Sequence, residues 1–406
     1  MEQLKIGFIG LGQRGKVLLY NVLENFKDIK VVAVCDVYPD RVEEAVKTIE
    51  EKSGTEAKGY ISSDEFFSDS QVQVVIISAA WESHVPLALQ SMKVGKITAL
   101  EVGGAYCIED CWKLVRCYEE TKTPFMFLEN CCYGRIELLA TNMARKGVLG
   151  DIVYCHGAYC HDCREEICGG VKNRHYRLRN YLARNCDNYP THDLGPIAKI
   201  LNINRGNRLL SLTSMASKAR GLSEYVKGKE EYSFLKDKTF IQGDVVCTTI
   251  TCADGSLITL KLDTSLPRSY SREFTVSGTK GMVAEQDLVA VTEKRGFIHE
   301  FEMNKNRGTL KDYEDEFLPN EWKAITPEEI AAGHGGMDVI MLRSFFDAVE
   351  NKKEMPLDVY DAATWMSISC LSESSIIKGG MPVEIPDFTS GRWISRERKD
   401  VVSLGD

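Results

Sequence analysis

The chain has 406 residues, too many for one hydrophobic core and enough for two domains. Its 44% hydrophobic and 27% charged content is that of an ordinary globular protein, and a net charge of −9 lacks the basic excess of a nucleic-acid binder. No stretch approaches the ~18 consecutive apolar residues of a membrane span. The first ten residues, Met1 to Gly10, run straight into an apolar strand pattern without a basic, cleavable leader, so we expect a cytoplasmic protein. In that compartment the fourteen cysteines are expected as reduced thiols, several of them core-like, such as Cys35, Cys247 and Cys252.

The first 130 residues alternate strand and helix patterns. Leu4–Ile9 reads as a strand, 15–26 as a helix, 29–35 as a strand and 41–51 as a helix. Val72 to Ser78 reads as a strand covered on both faces, followed by a helix over 84–94. Strands at 97–101 and 124–129 flank a helix over 108–120. This β-α rhythm predicts a doubly wound parallel sheet in a dinucleotide-binding domain spanning 1–130.

The rhythm then changes. A helix over 134–146 precedes strand-like runs at 151–159, 208–217, 244–251, 257–264 and 272–278. Ala253-Asp254-Gly255 is a hairpin signal between two of them. Helices are expected over 337–349 and 362–378, and the charged stretches 222–243 and 296–330 read as surface excursions. We therefore expect residues 131–406 to form an α+β domain with a mainly antiparallel sheet, supplying the substrate site and the contacts between subunits.

Gly10-Leu11-Gly12-Gln13-Arg14-Gly15 fits G-x-G-x-x-G and sits between a predicted strand and a predicted helix. The first glycine permits the tight turn, the second admits a pyrophosphate, and the third lets helix and strand pack closely. Asp36 closes the second strand about twenty residues further on, where a carboxylate meets the adenosine ribose hydroxyls and repels a 2′-phosphate. NAD is thereby favoured over NADP. Trp81, His84, Glu101 and Asn130 lie just after later strands, on the edge that faces the ligand crevice of an open α/β sheet.

The densest polar and aromatic cluster is Tyr159 to His192, with His161, Arg164, His175, Arg177 and Tyr189. Thr191 is a candidate N-cap for a helix beginning near His192. A histidine in that first turn feels the positive helix end, which favours a neutral imidazole able to take a proton from a sugar hydroxyl. Cys160-His161-Asp162-Cys163 is a C-x-x-C without a second paired element, so no metal is assigned to the Cys/His-rich stretch 155–186.

Together with Glu101-Val102-Gly103-Gly104-Ala105, Glu129-Asn130-Cys131-Cys132-Tyr133, Tyr189-Pro190-Thr191-His192, Asn202-Ile203-Asn204-Arg205-Gly206, Asp263-Thr264-Ser265-Leu266-Pro267-Arg268 and His334-Gly335-Gly336, the glycine loop resembles the Gfo/Idh/MocA oxidoreductase-like superfamily over nearly the whole chain. Within it, the sequence is most similar to the NAD-dependent α-N-acetylgalactosaminidase group, glycoside hydrolase family 109. Simple dehydrogenases of the superfamily carry Glu-Lys-Pro where this chain has Glu101-Val102-Gly103. The resemblance implies a Rossmann domain with bound NAD and a redox-neutral hydrolysis of an α-linked sugar, N-acetylgalactosamine in that group. The sugar is oxidised at C3, the C2 proton is removed, the C1 group is eliminated, water adds and the sugar is reduced again. This differs from the paired-carboxylate route.

The resemblance also places Tyr159, His161, Arg177, Tyr189, His192 and Tyr270 around the sugar. It makes His192 the acceptor of the O3 proton with Tyr189 beside it, Tyr159 supported by His161 the base at C2, and Arg177 and Tyr270 binding groups. The chain departs from the family pattern at Asp193, where glycine is expected, and between Cys160 and Cys186. The other readings open at this point are a net NAD-dependent dehydrogenase of a sugar, inositol or glycoside, and a non-catalytic NAD-binding regulatory protein. The expected partner is a small sugar or glycoside, with no nucleic acid or membrane. A dimer or tetramer would use an open face of the second sheet.

Overall fold

A computed structural model of the protein describes residues 3–286, 289–292 and 308–404. The chain gathers into two compact units. The first takes the residues up to Gly103, then Glu109–Tyr133 and Ala324–Ala363; the second takes Gly104–Ile108, Gly134–Lys323 and the chain from Thr364 onward.

The first unit is built on six parallel strands: β1 (Leu4–Ile9), β2 (Ile29–Cys35), β3 (Lys58–Tyr60), β4 (Val74–Ile77), β5 (Ile97–Leu100) and β6 (Phe125–Phe127). Their order is β3-β2-β1-β4-β5-β6, so the winding reverses between β1 and β4. Every residue of β4 and β6 is buried, as a sheet covered on both faces requires. The helices lie where the periodicity puts them, at Gln13–Asn25, Pro39–Ser53, Trp81–Lys93 and Ile108–Thr121. The segment 324–363 returns to this unit from late in the chain. Its helix Met337–Glu350 packs on Gln13–Asn25, with Phe346 edge-on to Phe26 at 5.0 Å, and Phe127 N–H donates to Leu357 O at 3.0 Å.

The second unit holds an eight-stranded sheet. Its strands are β7 (Ile152–Cys160), β8 (Leu209–Ala216), β9 (Val245–Cys252), β10 (Leu257–Asp263), β11 (Thr275–Gly278), β12 (Gly281–Ala284), β13 (Val289–Thr292) and β14 (Val383–Glu384). Their order is β13-β12-β11-β7-β10-β9-β8-β14. The pairings are antiparallel except for the parallel β7–β10 pair. The hairpin at Ala253-Asp254-Gly255 joins β9 to β10, with Gly255 at φ +90°. One sheet face stays open: along β9, Cys247, Thr249 and Thr251 are exposed while Val246, Thr248, Ile250 and Cys252 are buried. Cys247 therefore is not core, because strand alternation turns it to the open face.

The stretch 222–243 is also more than a surface excursion. It forms a helix at Gly221–Val226 and a 3₁₀ segment at Glu230–Leu235. Leu222, Val226, Tyr232, Leu235 and Phe240 bury against Cys163, Ile167, Cys168, Leu178 and Tyr181 as a second small core. Each fully buried aliphatic side chain there contributes about 1.5–3 kcal/mol. High charge hid this pattern in the sequence. Part of the other charged stretch, 296–307, lies outside the described residues, and the rest carries helices at Lys311–Phe317, Asn320–Lys323 and Pro327–Ala331. Among the described residues, no helix is long and apolar enough to cross a membrane.

Candidate functional site

In the first unit, the glycine loop is shaped by steric necessity. Gly10 has φ +91°, and a Cβ on Gly15 would fall 2.0 Å from Gly10 O, so neither position admits a side chain. A Cβ on Gly12 would meet only Arg41 Nη1, at 3.7 Å, which leaves the turn open. Gly12 is the N-cap of Gln13–Asn25 and brings no capping side chain, so the positive helix end faces outward. Exposed Gln13 begins this helix. Asp36 stands beside the loop: its Oδ2 accepts from Leu11 N–H at 2.7 Å and its Oδ1 from Tyr38 N–H at 3.0 Å. This cradle fits a dinucleotide pyrophosphate.

Arg14 belongs to a buried charge network. Its Nε donates to Glu101 Oε1 at 2.7 Å, and its two terminal nitrogens donate to the two oxygens of Asp338 at 2.6 and 2.9 Å. Asn130 Nδ2 donates to Asp338 Oδ1 at 2.9 Å, and His334 Nδ1 lies 2.8 Å from Oδ2. Burial opposes the Asp338 charge, but Arg14 and His334 more than offset it and hold the carboxyl well below its ordinary range. The network ties together the glycine-loop helix, the ends of β5 and β6, and the returning segment. Asp338 was not singled out in the sequence, although it lies two residues past the His334-Gly335-Gly336 stretch.

Trp81 and His84 open the helix after β4. A Cβ on Gly103 would come within 2.6 Å of the Trp81 indole, so the glycine of Glu101-Val102-Gly103 is required by its neighbour. His84 Nε2 lies 3.0 Å from Ala79 O. Burial pulls its pKa down to about 4, which leaves a neutral ring at neutral pH.

In the second unit, β7 and the helix Thr191–Ile200 bring four of the predicted groups together. Tyr159 and His161 share one side at the end of β7, with Tyr159 Oη 3.1 Å from His161 Nδ1. Tyr189 and His192 flank the helix start, with Tyr189 Oη 3.3 Å from His192 Nε2. Ring centroids of Tyr159 and Tyr189 are 4.6 Å apart, and those of Tyr159 and His192 are 5.5 Å apart. The site is thus two phenol–imidazole pairs in mutual contact. Tyr270 is half exposed, 5.3 Å from the His161 ring. The Arg177 guanidinium lies 5.0 Å from the Tyr189 ring centroid and 6.0 Å from that of Tyr159.

Burial pushes the Tyr159 phenol well above its ordinary value; Arg177 pulls it down, while Cys163, Tyr270 and Glu166 push it up. Burial and Arg177 lower His161, which favours its neutral form. Thr191 is not the cap: Pro190 takes that position, and Thr191 is the first helical residue, with no side-chain cap bond present. Its preceding proline fixes φ and shifts the helix start by one residue. Asp193 is buried close over Gly157 of β7, and its Oδ1 accepts from Leu194 N–H at 2.9 Å. Cys160 and Cys163 part company, Cys160 near Glu273 and Cys163 in the small second core.

Comparison with known proteins agrees with both units. Residues 4–128 match the oxidoreductase family, NAD-binding Rossmann fold, and residues 133–395 match the glycosyl hydrolase 109 C-terminal domain. The chain is 38% identical to an α-N-acetylgalactosaminidase of Tannerella forsythia, over 97% of this chain and 88% of that protein. It is 35% identical to a glycosyl hydrolase family 109 protein of Stenotrophomonas maltophilia, over 99% and 92% of the two chains. Among solved structures, scyllo-inositol dehydrogenase from Lactobacillus casei with bound NAD(H) and scyllo-inositol superposes with a TM-score of 0.65 at 14% identity, covering 94% of this chain and 99% of that one. The fold is that of the Gfo/Idh/MocA oxidoreductases, a dinucleotide-binding domain joined to a mixed, mostly antiparallel sheet domain. The chain belongs to glycosyl hydrolase family 109, whose members are glycosidases on an oxidoreductase scaffold.

Proposed function

We propose that the protein hydrolyses an α-linked glycoside, with N-acetylgalactosamine as the leading sugar, using NAD held by the first unit. The observation that carries this reading is the pair of phenol–imidazole couples in ring contact. A reaction that moves protons at two adjacent sugar positions needs two such acceptors side by side.

Gly10, Gly12, Gly15 and the start of Gln13–Asn25 would hold the pyrophosphate, and Asp36 the adenosine ribose. When bound, NAD supplies a reversible two-electron oxidation at the sugar's C3. His192, with Tyr189, takes the O3 proton and gives it back. A standing phenolate at Tyr159 is disfavoured by its raised pKa. The phenol instead acts with the neutral His161, passing its own proton to the imidazole as it takes the one from C2. Arg177 and Tyr270 bind the sugar's polar groups. Elimination at C1 and addition of water then complete a turnover with no net redox change.

Aryl α-glycosides incubated with the NAD-loaded enzyme in deuterated water test this. Deuterium at C2 of the released sugar, without accumulation of NADH, is the expected result. Retention of the C2 hydrogen, or NADH formed in step with product, would overturn it, the latter in favour of a dehydrogenase.

A further inference from the structure

Between Cys160 and Cys186 lies a charge cluster of which the proposed reaction uses Arg177 alone. Arg177 Nε is 2.6 Å from Glu166 Oε1, and the same oxygen is 3.3 Å from His175 Nε2. His175 stacks on Tyr176 at 4.5 Å, and its Nδ1 accepts from Arg177 N–H at 3.3 Å. The cluster is clamped from below. Glu166 sits on the helix Arg164–Cys168 and Arg177 begins the helix Arg177–Ala183. Both helices are anchored through Ile167, Cys168, Leu178 and Tyr181 in the small core that the 222–240 stretch completes.

We propose that Glu166 is a positioning residue of the sugar site, holding the buried Arg177 guanidinium over the Tyr159 and Tyr189 rings and cancelling its charge there. This rests on the reading of Tyr159 and Tyr189 as sugar-facing groups. Burial opposes the Arg177 charge, and Glu166 is the largest influence that restores it. Around Tyr159 the other facing groups are His161, His192, Tyr189, Tyr270 and Cys163, none of them a standing anion to replace Glu166. An uncompensated cation at that range favours the phenolate and lowers the pKa of a buried phenol by about one unit or more. Losing the carboxylate therefore has two consequences: Arg177 is less firmly held, and Tyr159 ionises more easily.

The test uses the full chain loaded with NAD. Alkaline absorbance titration of each protein, minus the same protein carrying Tyr159→Phe, isolates the ionisation of Tyr159. Glu166→Gln, nearly isosteric, should lower its midpoint by about one unit or more. Glu166→Asp keeps the charge and should leave the midpoint near wild type while raising KM about tenfold, as expected when a close ion pair is lengthened. A Tyr159 midpoint unmoved in Glu166→Gln, or moved equally in Glu166→Asp, would overturn the proposal. If the wild type cleaves no glycoside, the hydrolytic reading fails, but the tyrosine titration still decides the role of Glu166.

Discussion

The glycine-loop network of the first unit and the phenol–imidazole cluster of the second handle buried polarity differently. In the first, charges are paired and permanent: Arg14 spans Glu101 and Asp338, and His84 is held neutral. In the second, the groups at the centre are phenols and imidazoles that touch one another and can trade protons. A region that holds a charged cofactor benefits from fixed dipoles and ion pairs that do not titrate. A region that moves protons benefits from neutral groups that can both donate and accept one. The same chain provides both, because its packing surrounds one set of polar groups with counter-charges and the other with aromatic rings.

Removing a proton acceptor from the second unit should break the contrast most sharply. His192→Ala is expected to cut turnover by about a thousandfold, within the usual range for a general base, with NAD affinity unchanged. Steady-state hydrolysis and cofactor fluorescence measured together check this. Near-normal turnover would remove His192 from the proton path.

Next in size is the loss of a permanent charge in the first unit. Asp338→Ala removes one of the two carboxylates paired with Arg14 and should cost about 3–5 kcal/mol in stability, read by urea denaturation. Because Asp338 is held below its unfolded value, its contribution is fully present above the ordinary carboxylate range and is lost progressively as pH falls below that range toward the depressed folded value. A variant as stable as wild type at neutral pH would show that the network is incidental.

The smallest effect concerns Asp187, buried two residues before Tyr189. Its backbone N–H donates to Ser372 Oγ at 2.7 Å, and its Oδ2 accepts from Thr248 Oγ1 at 3.3 Å. Burial pushes its pKa up to about 7, against the pull of Thr248 and of Tyr189 N–H. The folded state therefore keeps a proton that the unfolded chain has already shed. Stability should fall as pH rises from the ordinary carboxylate range to about 7. Asp187→Asn should flatten that slope, so that denaturation midpoints of the two proteins diverge with rising pH. Parallel curves would mean that Asp187 is ionised throughout.

Much of this was legible in the residues. The strand–turn–helix context of Gly10 to Gly15 and the position of Asp36 define the dinucleotide cradle, because such turns are set by local backbone sterics. The pairings of Tyr189 with His192 and of Tyr159 with His161 came from the family resemblance, and an i, i+3 spacing at a helix start and strand alternation are their physical reasons. Glu166 carries no such signal. Its partner lies eleven residues on, beyond a turn, and nothing in the spacing points from one to the other. Asp338 was hidden more deeply, since Arg14 and Asn130, which it joins, stand more than two hundred residues away in the chain.

Periodicity and turn chemistry, acting over a few residues at a time, were enough to determine most of the alternating strands and helices, though not the short Lys58–Tyr60 strand or the Ser63–Ser68 helix, together with the glycine turn and the two sheet types. Tertiary packing alone decided that 324–363 joins the first unit, that the charged 222–243 stretch completes a second small core, and which carboxylate meets Arg14 and which meets Arg177. Buried charge is stable only beside a partner that desolvates with it, and the identity of that partner depends on where the folded backbone brings distant segments together.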